Sequence, residues 1–172
     1  GMVTYITVKK LHDDYYHKTW YNYKHKSDVL FYKIMLPNDS PSEFYNLQNL
    51  CYEMDKAEKR RDARTARDIV GSLPNELPTE ELIVIVEEFV KNYFVKYGFG
   101  AIVAIHEGKN EKHPSKNNPH VHIIITTRSI DSTGFCSKKH PEWNKKKYVS
   151  ICPEEWAKDQ NNANKRNQIK SK

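Results

Sequence analysis

The chain has no apolar run approaching the ~20 residues that a membrane-spanning helix needs. Its opening residues lack the charged-then-apolar pattern of a secretory signal, and Gly1 ahead of Met2 reads as a remnant of tag removal. Cysteine is scarce: Cys51, Cys136 and Cys152 are odd in number and far apart, which argues against a disulfide framework and for a reducing compartment. No internal repeat and no Gly/Ser-rich linker divides the 172 residues, so the reading is one domain over 1–172. A His-Glu-x-x-His pattern is missing too, which removes the helical zinc-hydrolase motif.

What remains is polar but able to fold. Apolar residues make up 38% and charged residues 29% of the chain, enough of the former for a core. Lys and Arg number 28 against 22 Asp and Glu, a net charge of +6 that favours polyanionic partners.

Val3 to Val8 is β-branched and short, the pattern of a strand. Residues 12–28 are rich in Tyr, His, Lys and Asp and read as a hairpin or loop. Val29 to Leu36, closed by Pro37, reads as a buried strand. Ser40-Pro41-Ser42-Glu43 gives an N-cap signal, and the helix it starts runs through Phe44, Leu47, Leu50, Cys51 and Met54 into a basic turn ending near Arg64. Ala66 to Leu73 is expected as a strand and Thr79 to Tyr97-Gly98 as a long helix. Gly100 to Ile105 and Val121 to Thr127 read as strands around a polar loop. A last helix is expected from Pro153, with residues 161–172 fraying. This order predicts an α/β (α+β) domain, helices covering one face of a mostly antiparallel sheet.

Pro119-His120-Val121-His122 carries the sharpest chemistry. In a strand, residues i and i+2 share a face, ~6.5–7 Å apart. His120 and His122 can therefore converge on one cation, with His106 beside them if the two strands pair antiparallel. Three neutral imidazoles suit a divalent metal with open positions, although outward-facing strand histidines also occur by chance. The run Arg60-Arg61, with Arg64 and Arg67, reads either as a solvated helix face or as a phosphate contact. Tyr21, Tyr23 and Lys24 lie in an aromatic-basic segment suited to stacking bases, or equally to cross-strand packing.

His106, Asn118-Pro119-His120-Val121-His122 and Thr126-Thr127-Arg128 together resemble the MobA/MobL family of plasmid mobilisation relaxases, within the HUH endonuclease superfamily. Ala57-Glu58-Lys59-Arg60-Arg61-Asp62-Ala63-Arg64-Thr65-Ala66-Arg67-Asp68 and Leu73-Pro74-Asn75-Glu76-Leu77 are similar to that family's upstream segment, and Lys10-Leu11, Tyr21-Asn22-Tyr23, Ile34-Met35-Leu36-Pro37 and Glu155-Trp156-Ala157 fall at nearly family spacing. The resemblance covers about residues 9–165. It implies a five-stranded antiparallel HUH sheet holding a divalent metal (Mg or Mn, with Zn or Ni able to substitute) under His106, His120 and His122.

The implied partner is single-stranded DNA at a transfer origin, nicked through a 5′-phosphotyrosine, in a bacterial cytoplasm and with accessory mobilisation proteins as further partners. Asp68, where the family usually has Glu, would orient a ligand histidine or assist deprotonation of the tyrosine. Arg60, Arg61, Arg64, Arg67, Tyr21, Tyr23, Lys24 and Arg128 are the expected DNA contacts. Aligned without a gap, the family's nucleophile falls on Tyr5. In the other alignment Val3 to Val8 is the first strand and the nucleophile helix is missing, leaving Tyr15, Tyr16, Tyr21 and Tyr23 as substitutes. The chain reads as N-terminally short relative to the family. The alternative function is a degenerate or truncated relaxase relative that binds DNA without cleaving it.

Overall fold

A computed structural model describes residues 11–13, 18–21, 28–58, 63–139 and 146–170, with side chains over 28–58, 63–139 and 156–168. The expected strand at Val3 to Val8 and the residues Tyr5, Tyr23, Lys24, Arg60 and Arg61 lie outside the described residues.

Two short strands, β1 (Leu11–Asp13) and β2 (Lys18–Tyr21), pair antiparallel by themselves. The main sheet begins at β3 (Val29–Met35). After Pro37 the Ser40 hydroxyl turns back to donate to the Pro37 carbonyl (2.7 Å), so it does not cap a helix. A 3-10 turn over Ser42–Tyr45 follows, and the α-helix α1 (Leu47–Lys56) starts only after Asn46, whose side chain accepts from the Asn49 amide at 3.1 Å. The single helix expected from Ser40 is thus broken into two pieces, and α1 stops before the basic run.

Strand β4 (Ala66–Ser72) is followed by α2 (Thr79–Tyr93), which buries Leu82, Ile85, Val86, Phe89 and Val90 at helical spacing. A 3-10 turn over Val95–Tyr97 ends at Gly98, whose φ of 91° is the left-handed stop expected there. Then come β5 (Phe99–His106), β6 (His120–Asp131), β7 (Gly134–Phe135) and the helix α3 (Lys146–Lys170). The strand order is β3-β5-β6-β4, antiparallel at every pairing, with β7 folded back on the end of β6. This is the α/β class with a mostly antiparallel five-stranded sheet.

Alternation along the strands makes two cores. Ala101, Val103, Ile105, Val121, Ile123 and Ile125 pack under α2 and α3. Ile102, Ala104 and Ile124 face the other way, under Leu47, Leu50 and Met54 of α1. Helical cover is therefore not confined to one face: α2 and α3 take one side and α1 the other. Apolar contact on both sides is why β5 is buried from end to end.

The C-terminal expectation changes as well. Instead of starting at Pro153 and fraying after 160, α3 begins at Lys146 and stays helical to Lys170. Ala163 is fully buried against the α2 core and Arg166 pairs with Glu88 at 3.2 Å. A few small or amphipathic contacts inside a run of Asn, Lys and Gln suffice to dock it.

Candidate metal centre

The alternation that places Ile102 and Ala104 under α1 carries the next same-face residue of β5, His106, onto the same side. β6 enters from the opposite direction with His120 and His122 on that side, before Ile124 returns to the core. Register completes the assembly, since His106 pairs directly with His120 and Ala104 with His122. The three ring centroids stand 5.2 to 5.3 Å apart, nearly an equilateral triangle. One ring nitrogen from each lies within 4.8 Å of the others.

Each ring has an outer oxygen on its Nδ1 side, within hydrogen-bond distance at His120 and at ion-pair distance at the other two. His120 donates from Nδ1 to the Asn118 carbonyl at 2.8 Å, since a carbonyl only accepts. His106 Nδ1 is 3.8 Å from an Asp28 carboxylate oxygen, and His122 Nδ1 is 3.7 Å from one of Asp68. Acceptors outside the ring favour the tautomer with a proton on Nδ1 and a free lone pair on Nε2, the usual arrangement behind metal-binding histidines. Burial holds the His122 imidazole below its ordinary pKa; Asp68 pulls it upward, and the positive charge His106 and His120 would carry pushes it down again. The ring is accordingly neutral at neutral pH, as a ligand must be. Donor type, convergence and outer support all fit a divalent metal.

Asp68 was expected beside the histidines and is there. Asp28 was not foreseen. Its signal is its place one residue ahead of a strand that pairs with the strand ending in His106. Among the described residues the other expected contacts are scattered. Arg67 pairs with Ile125 and so lies on the opposite face of the sheet. Arg64 is exposed, with its carbonyl accepting from Lys139 and Thr127. Arg128 is drawn away from solvent: its guanidinium forks onto Glu58 (3.0 and 3.3 Å) and reaches the Cys136 and Ser137 carbonyls. Only the backbone of Tyr21 is described, in β2.

Tyr32, Ala104, His122 and Val70 are successive register partners across β3, β5, β6 and β4 and share one face. The row's outer members are exposed, Tyr32 by 39% and Val70 by 58%, while Ala104 between them is buried.

Known proteins resemble this chain in sequence and in fold. Residues 2–172 match the MobA/MobL family. The chain is 34% identical over 137 residues to a probable mobilization protein MobA of Bifidobacterium longum, covering 79% of this chain and 23% of that protein. It is 31% identical over 128 residues to a conjugal transfer protein TraA of Rhizobium radiobacter, covering 69% of this chain and 11% of that one. It therefore spans a minor part of the length of these relatives. A solved structure from work on the molecular basis of vancomycin resistance transfer in Staphylococcus aureus superposes with a TM-score of 0.83, at 24% identity, over 96% of this chain and 84% of that one. At that identity the likeness speaks for the fold.

Proposed function

The chain belongs to the MobA/MobL family, and from that premise we propose that it is a relaxase-type domain of plasmid mobilisation. In this reading it holds a divalent metal at His106, His120 and His122 and nicks single-stranded transfer-origin DNA. The observation that carries the reading is the triangle of imidazoles on one sheet face, with an oxygen on the Nδ1 side of each ring.

A divalent ion bound there, Mg or Mn in function with Zn or Ni able to substitute, supplies Lewis acidity to a phosphate oxygen of the DNA. The protein's own groups do the rest. Asp28 and Asp68 stand beside the rings of His106 and His122 and orient them, and Asp68, 28% exposed, is the base that takes the phenolic proton, which is then available to the departing 3′-oxygen. Tyr5 is the nucleophile in this proposal. Its oxygen bonds to phosphorus as the bond from phosphorus to the 3′-oxygen breaks, leaving a 5′-phosphotyrosine and a 3′-hydroxyl. The exposed Tyr32 and Val70 at the ends of the His122 row offer apolar and aromatic surface to unpaired bases.

The test uses the 172-residue chain with a transfer-origin oligonucleotide and Mn²⁺. A covalent adduct that persists in denaturing gel and is absent from a Tyr5→Phe variant is the expected result. His120→Ala should abolish Mn²⁺ binding while shifting the unfolding free energy by less than about 1 kcal/mol, because a half-exposed ligand buries little. Bound DNA without any adduct would leave a DNA-binding module that does not cleave.

A further inference from the structure

The loop between β5 and β6 closes on itself at a neck. The Asn118 amide donates to the Gly108 carbonyl at 3.0 Å, and the Asn110 amide donates to the Asn117 side chain at 2.9 Å. The Glu107 amide, one residue past His106, donates to the Asp28 carbonyl at 2.7 Å, which ties the neck to the start of β3. Gly108 holds a φ of +60°, in the left-handed region that side-chain-bearing residues rarely adopt. Contact is tighter than conformation alone demands. A Cβ at position 108 would stand 2.1 Å from the Asn118 carbonyl oxygen and 2.7 Å from its carbon. That oxygen is the one that accepts from His120 Nδ1 at 2.8 Å.

We propose that Gly108 is a positioning residue for the metal centre: its bare backbone lets Asn118 seat against it and so fixes the tautomer and direction of the His120 ring. This rests on the reading of the three histidines as metal ligands. The chain of contacts is short and each link is specific. Gly108 sets the position of the Asn118 carbonyl, the carbonyl holds the Nδ1 proton of His120, and that proton leaves the Nε2 lone pair free to bind. His106 and His122 have carboxylates in the corresponding place, so His120 is the ligand whose orientation depends on a loop carbonyl rather than a side chain. Any side chain at 108 must push Asn118 aside and take the acceptor with it. The expected loss is that of an outer-acceptor mutation, roughly 10–100-fold in metal affinity.

The experiment titrates Mn²⁺ alone into the wild-type chain, Gly108→Ala and Gly134→Ala. Gly134 is also left-handed, with φ at +113°, but a Cβ there meets only the Phe44 ring at 3.5 Å. It thus also puts a side chain at a left-handed position, but without touching Asn118. Affinity should fall in Gly108→Ala and hold in Gly134→Ala. ¹⁵N spectra of the wild-type metal-free protein add a readout that backbone strain alone would not move: His120 should carry its proton on Nδ1, and in Gly108→Ala the ring should populate both tautomers. Unchanged Mn²⁺ affinity in a folded Gly108→Ala variant overturns the proposal, and so does a wild-type His120 protonated on Nε2. If Gly108→Ala does not fold, the wild-type tautomer decides alone. A wild-type chain that takes up no Mn²⁺ would instead refute the metal reading, with the tautomer still judging the role of Gly108.

Discussion

Glu58 shows how one side chain can convert an apparent DNA contact into a structural tie. Its carboxylate, 6% exposed, meets Arg128 at 3.0 Å and Lys139 at 3.0 Å. Burial by itself would raise the Glu58 pKa; the hydrogen bonds and charges of Arg128 and Lys139 outweigh it and hold the group below its ordinary 4.5. A carboxylate with a depressed folded-state pKa contributes stability above its unfolded value, and the contribution is lost as pH falls through the folded value. Removing one member of such a pair leaves the other charge half-desolvated, at about 3 kcal/mol, the low end for buried pairs because Lys139 is a third exposed. Glu58→Ala should therefore lower the urea-unfolding free energy by about that amount at pH 7, and the gap to wild type should narrow once the pH passes below the carboxylate range. An Arg128→Ala change should destabilise the domain first and alter DNA binding only as a consequence. A loss of DNA affinity at unchanged stability would return Arg128 to the interface.

Among the elements, α3 is attached by a contact that depends on a missing side chain. Trp156 lies against Gly71 of β4, where a Cβ would stand 2.9 Å from the indole, and its Nε1 donates to the Ser72 carbonyl at 3.0 Å. The other side of the ring meets Phe89 of α2 edge-on, centroids 4.9 Å apart. Gly71→Ala should force the indole outward and cost about 1–3 kcal/mol, and loss of amide-exchange protection should concentrate in α3 and at the end of β4. Such long-range dependence is what the sequence conceals. Strands β3 to β6 were legible because apolar alternation and β-branched runs report burial directly, and the histidine pair was legible because period two fixes which residues share a face. The start of α1 was misjudged because Ser40 and Asn46 are equally good caps on paper, and only the return of the Ser40 hydroxyl to Pro37 separates them. Asp28 and Gly108 carried no local signal: their roles arise from strand pairing and loop closure, which bring distant residues to His106 and His120. The docking of α3 was hidden in the same way, in Trp156, Gln160 and Ala163 spaced through a polar run.

For the whole molecule, a net charge of +6 says that polyanions are attracted, and the distribution of partners says how strongly. Arg128 and Arg166 are engaged by carboxylates, and Arg67 faces away from the histidines. Among the described residues, these three arginines are not turned to phosphates on that face, while Tyr32 and Val70 present apolar surface there. Binding of single-stranded DNA should then have two separable parts. Each neutralised phosphate adds about −0.7 to the slope of log affinity against log salt, so two to four contacts give a slope of roughly −1.5 to −3. Stacking of a base on Tyr32, in the proposed reading, would add about 1–3 kcal/mol without releasing counterions, which makes it nearly independent of salt. Tyr32→Ala should accordingly lower affinity by about 5- to 150-fold at every salt concentration, its salt line running parallel to that of the wild type, while Tyr32→Phe keeps most of the affinity because the ring remains. Fluorescence anisotropy with a labelled oligonucleotide between low and moderate salt measures both quantities at once. A Tyr32→Ala line that coincides with the wild type would mean that no base rests on that ring, and a line of different slope would mean that the residue acts through charge elsewhere.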